Sequence, residues 1–366
     1  MSAPAMRPWT ARDIWRDWHR PLVLSSITLT GLAILSGIGM IVDDRVLLDE
    51  SIWTKPLKFS FAFGLYTVTL AWLLTKLDKA ARVGWWMGSV FAIFAAVEVG
   101  LIAIIAGRGS FSHFNIGDPD PLNRVLVAIF QNGVPAIFFS NLVIAIIVLI
   151  QRTCDQALSR AMRLGITIST IGTTIPLWLG IGVDAPERTA RNAAGAKVRL
   201  LGGHGIGDPD GTGMPFTNWS TTGGDLRVPH FIGMHGIHAL LLTAALLAAL
   251  AVRYRWMHTS TRALLVTISA FGYVGVLVAT AWQARRGQSL INPDALALGV
   301  FAVPALITIV ATVLVIRAAK RRPVAPEVTR IRCGREGALL RAGLVRKPAD
   351  EIPRKRSRVS TSRPRM

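Results

Sequence analysis

Runs of about 20 apolar residues, divided by short polar loops, account for most of this 366-residue chain. A run of that length crosses the ~30 Å hydrocarbon core as a helix rising 1.5 Å per residue. The pattern predicts an all-α membrane protein with eight transmembrane helices, at 22–42, 56–75, 84–106, 125–150, 163–183, 230–252, 263–284 and 295–316. Ahead of them, Ala11, Ile14, Trp15 and Trp18 share one helical face, with Arg12, Asp13, Arg16 and Asp17 opposite. Residues 1–21 therefore read as an amphipathic segment lying on the inner membrane surface. A first helical block follows over 22–183, then an extracytoplasmic Gly/Asp-rich loop over 184–229. The last three spans occupy 230–316, and a basic tail, expected to be disordered in the cytoplasm, closes the chain over 317–366.

Composition agrees with a bilayer protein: 51% of residues are hydrophobic and only 17% charged, which excludes disorder for the body. The net charge of +20 would suggest a nucleic-acid partner until it is located. Residues 317–366 hold 16 Lys/Arg against 4 Asp/Glu. The charge thus describes a tail drawn to anionic inner-leaflet lipid, plus basic loops on one side, and predicts no nucleic-acid partner. Placing both termini in the cytoplasm leaves 29 Lys/Arg inside and 11 outside, the bias expected of an inner (plasma) membrane protein. Trp53, Trp85, Trp86, Trp256 and Trp282 fall at span ends, as an aromatic belt requires. The two cysteines, Cys154 and Cys333, both fall on the cytoplasmic side, where a disulfide is not expected. The first apolar run is too long, and its leader too extended, for a cleavable signal peptide.

Three echoes point to a parallel 4+4 internal repeat. Gly37-Ile38-Gly39 with Val42-Asp43 ends span 1, and Gly180-Ile181-Gly182-Val183-Asp184 ends span 5. Lys55-Pro56-Leu57-Lys58-Phe59 opens span 2, and Arg227-Val228-Pro229-His230-Phe231 opens span 6. Span 3 exits into Arg108-Gly109-Ser110, span 7 into Arg286-Gly287-Gln288-Ser289, each followed by an Asn and an Asp. Halves of four spans share one orientation, as in parallel-repeat transporters. The insertion before span 6, with Gly202-Gly203-His204-Gly205 and Asp208-Pro209-Asp210-Gly211, reads as a folded outer loop or lid.

The segments Trp53–Phe59, Arg108–Asn115 (RGSFSHFN) and Gly223–Phe231 (GGDLRVPHF) resemble those of a bacterial family of uncharacterised multi-span integral membrane proteins. The resemblance covers about residues 50–300 and leaves out the tail. It implies a membrane fold and draws attention to the outer motifs, and it carries no mechanism.

Ionisable groups inside hydrocarbon cost at least ~2.5–3.5 kcal/mol, so each needs a partner or a wet cavity. Glu98 sits in Phe94–Leu101 of span 3, roughly 12 Å below the outer surface. His235 and His238 lie about 8–12 Å deep in span 6, with Gln131 and Asn132 at similar depth before Gly133 and Pro135 of span 4. Thr173, Thr174 and Pro176 mark span 5, and Lys58 enters just below the outer surface on span 2. These groups predict an outward-facing pocket of Glu98, Gln131, Asn132, His235, His238 and Lys58. Its rim would be Arg108, His113, Asp225, Arg227, His230 and Arg286, suited to a small polar or anionic solute.

Three functions fit. One is small-solute binding or transport with proton coupling through Glu98. The second is a membrane metalloenzyme with zinc or another divalent metal on His235 and His238, at i and i+3, and His113 or His230 as third ligand. Glu98 or Asp225 would then be its general base; a haem version would need histidines on facing helices. The third is a non-catalytic scaffold or sensor acting through the outer loop and tail. No cofactor is required by the first or third.

Overall fold

The computed structural model describes residues 10–151, 155–176, 187–208 and 211–321. Among these residues the helices are α1 (Ala11–Asp17), α2 (Arg20–Val42), α3 (Thr54–Leu74), α4 (Ala81–Gly107), α5 (Pro121–Ile150), α6 (Gln156–Thr174), α7 (Arg227–Met234), α8 (Gly236–Arg253), α9 (Thr259–Arg285) and α10 (Ala295–Arg321). Seven of them, α2, α3, α4, α5, α8, α9 and α10, are long and apolar enough to cross a membrane. The polypeptide is therefore a multi-pass membrane protein in contact with lipid. Cys154, Cys333, the tail beyond Arg321, the Pro209-Asp210 turn and the Gly180–Asp184 motif lie outside the described residues.

Two expected spans take other forms. The segment expected at 163–183 is α6, which begins at Gln156, carries Arg160 and Arg163, and is not among the seven apolar helices. The segment expected at 230–252 is two helices, α7 and α8, interrupted at His235. The interruption has a definite cause. The Ser169 hydroxyl of α6 enters the backbone ladder there, donating to Met234 O at 2.8 Å and accepting from Ile237 N at 3.0 Å. Tyr273 OH adds a bond to Ile232 O at 2.6 Å. Gly172 and Gly233 make the approach possible, since a Cβ on either would run into the other's backbone.

The helices pack as two quartets with one pattern. In the first, α2 packs on α3 and α4, α3 on α4, and α4 on α5. In the second, α6 packs on α7, α8 and α9, the broken pair on α9, and α9 on α10. Contacts between α5 and α6 join the quartets. Leu22, Leu70, Phe91, Ile144 and Ile166 belong to one apolar core that reaches Ile237 of α8, and Ala161, Ile168, Leu240, Val266 and Leu277 to another. Helix α1 is held by a Thr10/Asp13 capping box and lays Ile14 on the first core, together with Trp18 just beyond its end.

The connections α2–α3, α4–α5, α6–α7 and α9–α10 meet at one end of the bundle as a cap. This cap is built of short β-strands on a helical bundle, in keeping with a folded loop or lid at the insertion. A hairpin joins β1 (Val46–Leu47) to β2 (Glu50–Ser51). A three-stranded antiparallel sheet has the order β3 (Asn115–Gly117), β5 (Lys197–Leu201), β4 (Glu187–Arg191). β6 (Gly205–Ile206) pairs with β7 (Gly224–Asp225). Alternation explains the larger sheet: Val198 and Leu200 point inward onto Ala190, Phe111 and Phe114, while Lys197, Arg199 and Leu201 face out. The loop after α9 ties in through Ser289 Oγ to Ser220 O at 2.9 Å and Asn292 Nδ2 to Thr221 O at 3.2 Å.

Candidate functional site

A charged latch closes the cap over the bundle. Leu48 and Asp49, both at positive φ, make the two-residue turn that sets Glu50 at the mouth of α3. Glu50 accepts from Lys58 Nζ at 2.8 Å and from Asn218 Nδ2 at 2.7 Å, and Lys58 Nζ also reaches Thr217 O at 3.1 Å. Arg227 grips the same loop through Asn218 O and binds Asp225 through Nε at 3.0 Å. Asp225 is 3% exposed and also takes the Ser220 N–H at 2.9 Å. Burial pushes its carboxyl up, but the Arg227 bonds and charge outweigh that and hold it below the ordinary range. Lys58, Asp225 and Arg227 are thus lid fasteners, and Lys58 is drawn away from the helix interior.

Beneath the latch lie three histidines, His113, His204 and His230, and Lys55, whose charge reaches the first two. His113 is turned inward by the loop after α4, with its ring 4.5 Å from Phe130 and 5.5 Å from Phe59. That loop is self-supporting: Asp118 is held by Ser110, Asn115 and Asn123, with the last two bonds at 3.0 and 3.2 Å. His204 faces Asp225 at 3.8 Å and Phe114 at 6.2 Å, and its Nδ1 has no hydrogen-bond partner. His230 Nδ1 meets Gly172 O at 2.8 Å. Lys55, half-buried on the first turn of α3, has no hydrogen-bond partner among the described residues, yet its charge acts on both His113 and His204. Burial first, and then these neighbouring charges, push His113 well below the ordinary imidazole range. The same causes, burial and then Arg227 before Lys55, take His204 to about 3. Both rings are therefore neutral at pH 7.

Farther in, His235 and His238 occupy the helix break. Their Nδ1 atoms face each other at 3.1 Å, and His235 Nε2 has no partner. Phe231 stacks on His235 at 4.4 Å and Tyr66 meets His238 edge-on at 5.8 Å. Glu98 is 2% exposed, and both of its carboxylate oxygens lack partners. It seats on Gly133 of α5, where a Cβ would run into Glu98 Oε1. No hydrogen bond joins Glu98 to the two imidazoles, so the structure does not pair them.

Other expected pocket groups fall elsewhere. Gln131 and Asn132 are exposed, because Val127, Phe130 and Gly133 take the inward phase of α5; Asn132 Nδ2 bonds Ala128 O at 2.7 Å. Thr173 and Thr174 return their hydroxyls to carbonyls of α6, at 2.7 Å each. Arg108 is a loop organiser bound to Asn123 Oδ1 at 2.6 Å and to Asp120, and Arg286 pairs with Asp294 at 2.7 Å while stacking over Trp282. Among the described residues, no group of three His, Cys, Asp or Glu side chains is placed to hold one metal ion. His235 and His238 alone give two donors, short of the three of a catalytic zinc site.

Sequence reasoning passed over Lys55 and His204. The first stood in a motif whose Pro and Phe drew attention to the helix start, and the second lay in a glycine run that reads as a turn. The available signal was the outer clustering of five histidines, His113, His204, His230, His235 and His238, out of seven in the chain. Comparison with known protein families, curated proteins and solved structures gives no match to this chain.

Proposed function

We propose that this protein captures a small anion beneath its cap and serves as a binding or transport protein for it. The observation that carries the reading is Lys55, whose charge acts on His113 and His204 and whose amine makes no hydrogen bond among the described residues. An anion would supply an acceptor, and His113, His204 and His230 could each turn an N–H toward it. The discontinuous α7–α8 helix below supports transport, since interrupted helices at membrane depth surround solute sites in many carriers. The resemblance to a bacterial multi-span family is compatible with this reading.

In the same proposal α6 completes eight crossings, both termini face the cytoplasm of a bacterial inner membrane, and the cap faces outward, in line with the Lys/Arg bias. The shared packing order of the two quartets supports the parallel repeat. The test is titration of the detergent-purified chain with phosphate, sulfate and small carboxylates as potassium salts. One of them should bind with one-to-one stoichiometry, and Lys55→Gln should weaken it at least tenfold. Equal binding by Lys55→Gln, or no binding by any of these anions, refutes the reading.

A further inference from the structure

In the half of the bundle away from the cap, α9 and α10 leave a groove on their outer surface. Its walls are Thr267, Ile268 and Phe271 of α9 and Ile307, Thr308 and Ala311 of α10, around a free volume of about 180 Å³. The helices close on each other beside it, where a Cβ on Gly272 would run into Thr308 and one on Gly275 into Pro304. Phe271 and Ile307 are about half exposed, at 50% and 48%, so the groove opens toward the bilayer.

A cation stands at one end of this groove. Arg160 of α6 is exposed, and its guanidinium lies against α9, donating through Nη1 to Thr267 Oγ1 at 2.9 Å and Ala263 O at 3.2 Å. Its Nε and Nη2 make no hydrogen bond among the described residues, and no described carboxylate pairs with it. Asp155, at the start of the same helix, is held by Arg262 at 3.1 Å. Arg163, also exposed, follows three positions on and shares a helical face with Arg160.

Depth makes an unpaired charge costly here. The 27 residues of α9 span about 40 Å, against a hydrocarbon core of ~30 Å. Thr267 stands about 12 Å along that helix from its first residue, so the guanidinium bonded to it lies several ångströms inside the hydrocarbon edge. A long basic side chain in lipid ordinarily snorkels to the interface, whereas this one is tied to α9. An anion brought by the bilayer itself would match it.

We propose that the groove binds one anionic phospholipid of the leaflet away from the cap, its phosphate on Arg160 and Arg163 and one acyl chain along Phe271 and Ile307. Thr267 both holds Arg160 and begins the apolar walls, so head and chain sites are continuous. Basic pockets between membrane helices take lipid headgroups in this way. A zwitterionic lipid fits less well, because its ammonium would meet the same two guanidiniums. No residue is shared with the anion site under the cap.

The experiment is native mass spectrometry of the full chain, released from neutral detergent carrying phosphatidylglycerol or phosphatidylcholine at equal mole fraction. The chain should retain one phosphatidylglycerol, and phosphatidylcholine about tenfold less. Arg160→Gln, which removes the charge, and Ala311→Phe, which fills the groove, should each lower phosphatidylglycerol retention about tenfold. Arg163→Gln should lower it about threefold, and carries the charge test if Arg160→Gln does not fold. Lys55→Gln should retain the lipid fully, and glycerol 3-phosphate should not displace it. Equal retention of the two lipids, or undiminished retention in the Arg160 and Ala311 variants, means that bulk lipid or the basic tail accounts for binding and overturns the proposal. Displacement by glycerol 3-phosphate would assign a soluble anion instead, and a dimer dissociated by Ala311→Phe would assign the groove to a second copy of the chain. Either result overturns it as well.

Discussion

His113 and His204 make the cap acid-sensitive. Unfolded, each imidazole titrates near 6.5; folded, burial holds both below that, His204 at about 3. Below about pH 6.5 the unfolded chain gains protons that the folded chain refuses, so stability falls with pH through that window and levels off near His204's folded value. Melting midpoints should therefore drop steadily from pH 7 to pH 4, and His204→Gln should flatten the slope. The same depression gives anion binding a sign. An anion beside His113 favours the imidazolium, so binding draws in a proton and weakens as pH rises. Calorimetry in buffers of different ionisation enthalpy would count that proton.

Two contacts between helices are specific enough to test. Ser169 satisfies both an N–H and a carbonyl at the α7–α8 break, so Ser169→Ala should cost about 1–3 kcal/mol and shift the His235 and His238 rings in an NMR spectrum. Gly133 exists to admit the Glu98 carboxyl, so Gly133→Ala should destabilise by about 1–3 kcal/mol, and Glu98→Ala should relieve most of it in a double-mutant cycle. Most helices were legible as apolar runs, and the reason is length alone. The break at His235 was not, because its cause is a serine 66 positions earlier, and hydropathy holds no record of which hydroxyl enters which ladder. The phase of α5 was misjudged for a related reason. Gln131 and Asn132 stand next to Gly133, but neighbours in sequence lie about 100° apart around a helix, and the glycine claims the inward side.

Across the whole molecule, the outer motifs were visible as clusters of Gly, Asp and His, but their pairing was not. Asn115 meets Leu200 and Gly205 meets Asp225 only once the long insertion folds back over the bundle. The latch ties the β1–β2 hairpin and α3 to the loop before α7, through Asn218 Nδ2 to Glu50 and Lys58 Nζ to Thr217 O, with Lys58 and Glu50 paired to each other. Glu50→Gln should raise amide hydrogen exchange at Thr217–Ser220 by about tenfold, with the helices unaffected. The strand β3 issues from the first quartet and β5 from the second, so backbone bonds stitch the two halves together above the bundle. Below, α5 packs against α6, and Tyr66 of α3 meets His238 of α8. Any rocking of one half against the other must pivot at the stitched end, and the seam would part first on the side away from the lid.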